Sequence, residues 1–125
     1  QNIAKKVAPI WGQMRNAPSL PEDIGWWEGD YIVSFLSYWI VPDSLLKRAK
    51  IAAINFHPAS PDYPGTGCYN FALYEKSPEY GAMCHHMKPE VDTGNIIAVK
   101  RFPIYDGDKI EIVIERTYDN LIVLF

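Results

Sequence analysis

Ile54-Asn55-Phe56-His57-Pro58 opens, and Glu90-Val91-Asp92-Thr93-Gly94-Asn95-Ile96-Ile97 closes, the stretch on which the reading of this chain turns. The run Ile51 to Phe56 has the Ile, Ala and Phe content of a strand between two turn-like regions. Side chains two apart on a strand share a face, so Asn55 and His57 are expected to project together where the strand gives way to a loop. That loop, His57 to Gly67, contains three prolines and two glycines. Asp92 is expected to arrive from a second strand-to-turn junction. An amide that can hold a developing oxyanion, an imidazole that can move a proton or, protonated, stabilise that oxyanion, and a carboxylate that can orient the imidazole together suit acyl transfer.

Outward from this stretch the chain alternates strand and helix patterns. Tyr31-Ile32-Val33-Ser34-Phe35-Leu36-Ser37 is a near-continuous apolar run of strand length, the pattern of a buried parallel strand. Pro42-Asp43-Ser44 predicts a short helix running to about Ala49, since proline suits a first helical turn. A second short helix is expected over Tyr69 to Glu75, then strands over Tyr80 to Met87 and Asn95 to Phe102, joined through the Asp92 turn. Within Asp108 to Phe125 both periods occur. The spacing of Ile110, Val113, Ile114, Tyr118, Leu121, Ile122 and Phe125 decides for a helix, with Asp108 and Glu111 forming a capping box. Upstream, Ile3, Val7, Ile10 and Trp11 mark a weak helix broken by Pro9, followed by a proline-rich link from Asn16 to Glu22. The sum is a mixed or mostly parallel α/β sheet with flanking helices.

The bounds are those of one domain: 125 residues, 48% hydrophobic, net charge −3. The basic residues are scattered rather than gathered in a stripe, so nothing in the charge pattern indicates tRNA or another nucleic acid as partner. No apolar run reaches the roughly 18 residues of a membrane span, and no basic-then-apolar leader is present, which gives a cytoplasmic reading without membrane contact. Cys68 and Cys84 lack CxxC spacing and are expected as free thiols. Cys84-His85-His86 contains zinc-preferred ligand types, but on a strand Cys84 and His86 face one way and His85 the other, so no metal site is expected.

Asn55-Phe56-His57-Pro58, with Asp92 thirty-seven positions beyond Asn55 inside Val91-Asp92-Thr93-Gly94-Asn95-Ile96-Ile97, resembles the folate-dependent formyltransferases, the family of methionyl-tRNA formyltransferase, glycinamide ribonucleotide transformylase and the sugar N-formyltransferases. The resemblance extends more loosely over 31–104 and implies that residues 1–125 are a partial formyltransferase catalytic domain. It implies a Rossmann-like, mostly parallel sheet that lacks the family's N-terminal strand-helix units, so that the Tyr31 strand would have an open edge or need a further segment or a second copy, as in a homo-oligomer. It also implies transfer of a formyl group from 10-formyltetrahydrofolate to an amine, with Asn55, His57 and Asp92 as catalytic residues. Leu36, Ser37, Tyr38, Trp39, Val91 and Thr93 would contact the folate, and the turn from Lys88 to Gly94 would offer it backbone groups. Where the tRNA enzymes read like Ser-Leu-Leu-Pro followed by Arg-Gly, this chain has Ala59-Ser60-Pro61-Asp62-Tyr63-Pro64-Gly65-Thr66-Gly67. The acceptor is therefore left open, with a small amine or amino sugar first.

Two other readings keep the same residues. Water in place of the amine would make a formyltetrahydrofolate hydrolase, and loss of the N-terminal units would leave a non-catalytic folate-binding fragment. The Asp92 charge beside His57 is expected to raise the histidine's pKa above about 6.5, against the opposing effect of burial.

Overall fold

A computed structural model describes residues 24, 26–37, 39–65 and 67–125. Seven elements follow in chain order: β1 (Gly29–Phe35), α1 (Asp43–Leu46), β2 (Ala49–His57), α2 (Cys68–Tyr74), β3 (Glu79–His86), β4 (Ile96–Pro103) and α3 (Ile110–Leu124). The weak N-terminal helix, the Asn16 to Glu22 link and Tyr38 lie outside the described residues.

The strands form one sheet in the order β1-β2-β3-β4. β1 and β2 run parallel, Phe35 lying opposite Phe56, whereas β2 with β3 and β3 with β4 are antiparallel. The sheet is thus mixed, with one parallel pair instead of mostly parallel pairing. The reason is visible in β3 and β4, since the segment 87–95 between them is too short for the crossover that parallel strands need, about a dozen residues or more.

Helix α3 is the layer that closes the sheet. Its buried residues are Val113, Thr117 and Leu121, one stripe at a spacing of four, and the Thr117 hydroxyl donates to the Val113 carbonyl at 2.6 Å so that no polar group is stranded. Leu121 joins Phe56, Ala82 and Cys84 in one core cluster. Val113 joins Ala59, Cys68, Ala72, Tyr80 and Phe102 in the other. Tyr80 centres the second cluster, its ring 5.4 to 6.0 Å from those of Tyr63, Tyr69 and Phe102 and its hydroxyl donating to the Pro58 carbonyl at 3.1 Å. This packing seats the loop after His57 on the sheet.

Three local expectations are corrected. α1 stops at Leu46, and Ala49 already belongs to β2, whose residues 49–57 pair with β1 and β3. The capping box does not form: Lys109 is the N-cap residue of α3, and the Asp108 carboxylate instead accepts from the Tyr105 N–H at 2.9 Å and from Arg116 at 2.8 Å. β1 is not a buried strand. It lies at the sheet edge with Tyr31, Val33 and Phe35 partly exposed, and among the described residues no strand precedes it.

Candidate active site

β2 and β3 build the site by register. Asn55 lies directly opposite His85 in the antiparallel pair, so the two side chains share a face, and His57, two residues on, shares it as well. Asp92 comes over this face from the turn between β3 and β4, with a left-handed backbone (φ 57°) that aspartate tolerates better than most residues. Gly94 makes the approach possible. A Cβ there would overlap the His86 carbonyl oxygen.

The Asp92 carboxylate is the hub. Its Oδ1 lies 3.4 Å from Asn55 Nδ2 and 3.3 Å from His85 Nε2, while its Oδ2 lies 3.5 Å from His57 Nδ1 and accepts from the Gly65 N–H at 3.1 Å. The side chains of His57, His85 and Asp92 are nearly fully buried, each less than one tenth exposed.

The second nitrogen of each imidazole fixes its proton. His57 Nε2 faces the Tyr63 carbonyl at 3.3 Å and His85 Nδ1 faces the His86 carbonyl at 2.8 Å, and only an N–H can serve a carbonyl. Neutral His57 therefore turns a lone pair on Nδ1 toward Asp92. Neutral His85 leaves Nε2 to accept from Asn55 Nδ2 at 3.3 Å, and protonated His85 donates to Asp92 instead.

The two histidines titrate in opposite senses. Burial dominates at His57 and holds its pKa below the ordinary value, although the Asp92 charge and the Tyr63 carbonyl pull it up. The expected rise at His57 is overturned, because the walls closed by the 58–67 loop remove water that would have favoured the charged ring. At His85 the hydrogen bond to Asp92 prevails over burial and the pKa rises. Burial pushes the Asp92 carboxyl up, but the His85 hydrogen bond, the His57 charge and the Gly65 N–H outweigh it and hold the pKa below the usual carboxylate value.

The three residues expected to act together, Asn55, His57 and Asp92, thus meet. His85 is the participant that sequence reasoning set aside. Its signal was available in strand alternation, which turns His85 away from Cys84 and, once β2 and β3 pair, toward Asn55; Cys84 is buried in the α3 cluster. Leu36, Ser37 and Trp39 follow β1, whose last residue Phe35 pairs with Phe56, the residue before His57. The Leu36 side chain packs against the Phe56 cluster rather than facing outward, and Ser37 Oγ accepts from the Trp39 N–H at 3.1 Å. Val91 is exposed beside Asp92, and the Thr93 hydroxyl holds the turn by donating to the Glu90 carbonyl at 2.9 Å. Among the described residues no group of three or more His, Cys, Asp and Glu is arranged to hold a metal ion, and no helix is long and apolar enough to cross a membrane.

This geometry can be set beside known proteins. A methionyl-tRNA formyltransferase of Listeria monocytogenes is 33% identical over 97 residues, which are 77% of this chain and 31% of that protein. The solved glycinamide ribonucleotide transformylase 1 of Geobacillus kaustophilus superposes with a TM-score of 0.70 at 28% identity, over 77% of this chain and 52% of that one. The formyltransferase PseJ of Anoxybacillus kamchatkensis, solved with UDP-4,6-dideoxy-4-formamido-L-AltNAc and tetrahydrofolate, superposes with a TM-score of 0.69 at 28% identity, over 77% and 51%. The chain therefore spans about a third of the curated relative and about half of the solved ones. The formyl transferase family model matches residues 15–121, the sheet, the Asp92 hub and most of α3 included, and the chain belongs to the formyl transferase family.

Proposed function

We propose that this chain carries the reacting centre of a 10-formyltetrahydrofolate-dependent formyltransferase acting on an amine. The observation that carries the reading is the convergence of Asn55, His57 and His85 on the two oxygens of the buried Asp92 carboxylate. Family membership and the neighbour solved with tetrahydrofolate support a folate donor. The crevice beyond the carboxyl ends of the parallel pair β1 and β2 is where α/β sheets place ligands. Leu36, Ser37 and Trp39 would line one side of it and Val91 and Thr93 the other, mostly through backbone groups in the case of Leu36.

An uncharged amine attacks the formyl carbon and the carbonyl oxygen gains negative charge. The Asn55 amide donates to that oxygen, an interaction of a type worth about 3 to 4 kcal/mol. His57, neutral because burial depresses its pKa, takes the amine's proton on Nδ1, and Asp92 stabilises the imidazolium so formed before the proton passes to the leaving folate nitrogen. His85 keeps Asp92 ionised and fixed in place. No step drawn from these residues uses a metal. The relatives include proteins named for tRNA, a ribonucleotide and sugars, and the sequence of loop 59–67 diverges from that of the tRNA enzymes; a small amine or amino sugar is the proposed class.

The test is consumption of 10-formyltetrahydrofolate by the protein with and without candidate amines, repeated with Asn55→Ala and His57→Ala. Turnover that needs an amine and falls by roughly 100- to 1000-fold in each variant is expected. Turnover without any acceptor would make the protein a hydrolase, and folate binding by calorimetry with no turnover under either condition would leave the non-catalytic folate-binding fragment.

A further inference from the structure

The loop 58–67 sends two backbone atoms into the site: the Tyr63 carbonyl onto His57 Nε2 at 3.3 Å and the Gly65 N–H onto Asp92 Oδ2 at 3.1 Å. Both the base and its carboxylate partner are thus oriented by one loop. The loop carries Pro58, Pro61 and Pro64 and left-handed glycines at 65 and 67, and a turn within it is closed by the Tyr63 N–H donating to the Ser60 carbonyl at 3.0 Å, so that Asp62 is a central residue of the turn that carries Tyr63. Its ends are fixed from below, by the Tyr80 hydroxyl on the Pro58 carbonyl at 3.1 Å and the Cys68 thiol on the Gly65 carbonyl at 2.9 Å. Its middle is fixed from the sheet. Arg101 on β4 donates to the Asp62 carboxylate at 2.7 Å, and Asp62 is the residue before Tyr63. The same guanidinium is braced by Glu79 on β3 at 3.0 Å, so it is aimed before it meets the loop.

We propose that Arg101 is a positioning residue, which through Asp62 sets the Tyr63 carbonyl against His57 and the Gly65 N–H against Asp92. The alternative is a surface ion pair with no reach into the site. Both side chains are more than a third exposed, so the pair adds little to global stability and a denaturation curve does not discriminate. The state of the His57 ring does, because its Nε2–H is held only where the loop places the Tyr63 carbonyl.

The proposal rests on the reading of His57 and Asp92 as the reacting pair only for its effect on turnover; the structural arm needs no substrate. Imidazole proton–nitrogen NMR spectra are recorded for the wild type, Arg101→Glu, Asp62→Arg and the charge-swapped pair of both substitutions. Expected is a His57 Nε2–H signal that exchanges with solvent several-fold faster in each single variant, with the His85 Nδ1–H signal unmoved and the His57 signal restored in the swap. If formyl transfer is established, kcat should fall roughly two- to five-fold in the single variants and recover in the swap, the span of an exposed ion pair expressed as a rate. An unchanged His57 signal in Arg101→Glu, or failure of the swap to restore a changed one, would overturn the proposal. A changed and restored His57 signal in a protein that transfers no formyl group would uphold the positioning and sink the function.

Discussion

The two halves of the sheet are built from similar residues and end in opposite environments. In the β2, β3 and β4 half, α3 lays Val113, Thr117 and Leu121 over the strands, and Phe56, Ala82 and Cys84 are buried beneath it. In the β1 half, Tyr31, Val33 and Phe35 lie on the face that Phe56 shares and stay partly exposed, with the ring of Phe125, the residue that caps α3, packing 5.6 Å from Phe35 and 5.3 Å from Phe56. Ile122 and Val123 beside it are exposed. The difference teaches that an apolar run states that a surface suits burial, while the layering of elements decides whether it is buried. The candidate-site residues sit at the junction, but among the described residues the side chains that meet Asp92, those of Asn55, His57 and His85, come from β2 and β3.

The largest effect that distinguishes the halves is expected at Leu121. It is 0% exposed, and Leu121→Ala removes the side chain that locks α3 to the site-bearing strands, a change of about 2 to 5 kcal/mol for a buried leucine. Urea denaturation of wild type and variant measures it. A loss below about 1 kcal/mol would mean that the α3 layer collapses around the gap and is not the finished half described above.

Next comes Gly94→Ala. Its new methyl must displace the His86 carbonyl, which is strand backbone and cannot rotate away, so a destabilisation of about 1 to 3 kcal/mol is expected, as for an overpacked interior. Because that carbonyl is the partner of His85 Nδ1, the His85 ring signals in NMR should shift with it. Loss of stability with an unperturbed His85 would separate the turn from the site.

Much of this organisation is legible in the residues alone. The period of two that pairs Asn55 with His57, and the Val-Asp-Thr-Gly turn returning a carboxylate, specify the centre of the site because both are short-range. The α3 period is likewise local. What the chain does not announce is long-range: His85 enters the site only through its register opposite Asn55, and Asp108 abandons a cap because Arg116, two turns along the helix, offers a charged partner. The direction of the His57 shift was misjudged for the same reason, since the closing of the 58–67 loop over the ring is a tertiary fact.

The site half makes a prediction in pH. His85 has a raised folded-state pKa, so its protonation contributes stability that is fully present below the unfolded value of about 6.5 and is lost as pH rises through the folded value. His57 has a depressed pKa and acts oppositely, opposing folding as pH falls below about 6.5. Asp92→Asn keeps the side chain's size and a residue that accepts the left-handed backbone, but removes the charge that raises both. In an NMR titration of the two rings, wild type should show His85 above and His57 below the ordinary value, with both moving down in the variant. A His85 value unmoved by Asp92→Asn would detach that histidine from the hub.

The smallest effect is expected at Val33, and it is the one that can break the comparison. Its side chain is on the open face of the edge strand and is 46% exposed, so Val33→Thr exchanges a methyl for a hydroxyl that water can satisfy while keeping the β-branched shape that strands favour. If the face is open in solution, stability should change by no more than about 0.5 kcal/mol, the range of ordinary surface substitutions. A loss above about 1 kcal/mol would mean that the hydroxyl is being buried and that something covers β1. Repeating the denaturation over a range of protein concentrations then identifies the cover. A second copy makes the midpoint rise with concentration, by mass action, whereas a cover from within the same chain leaves it fixed.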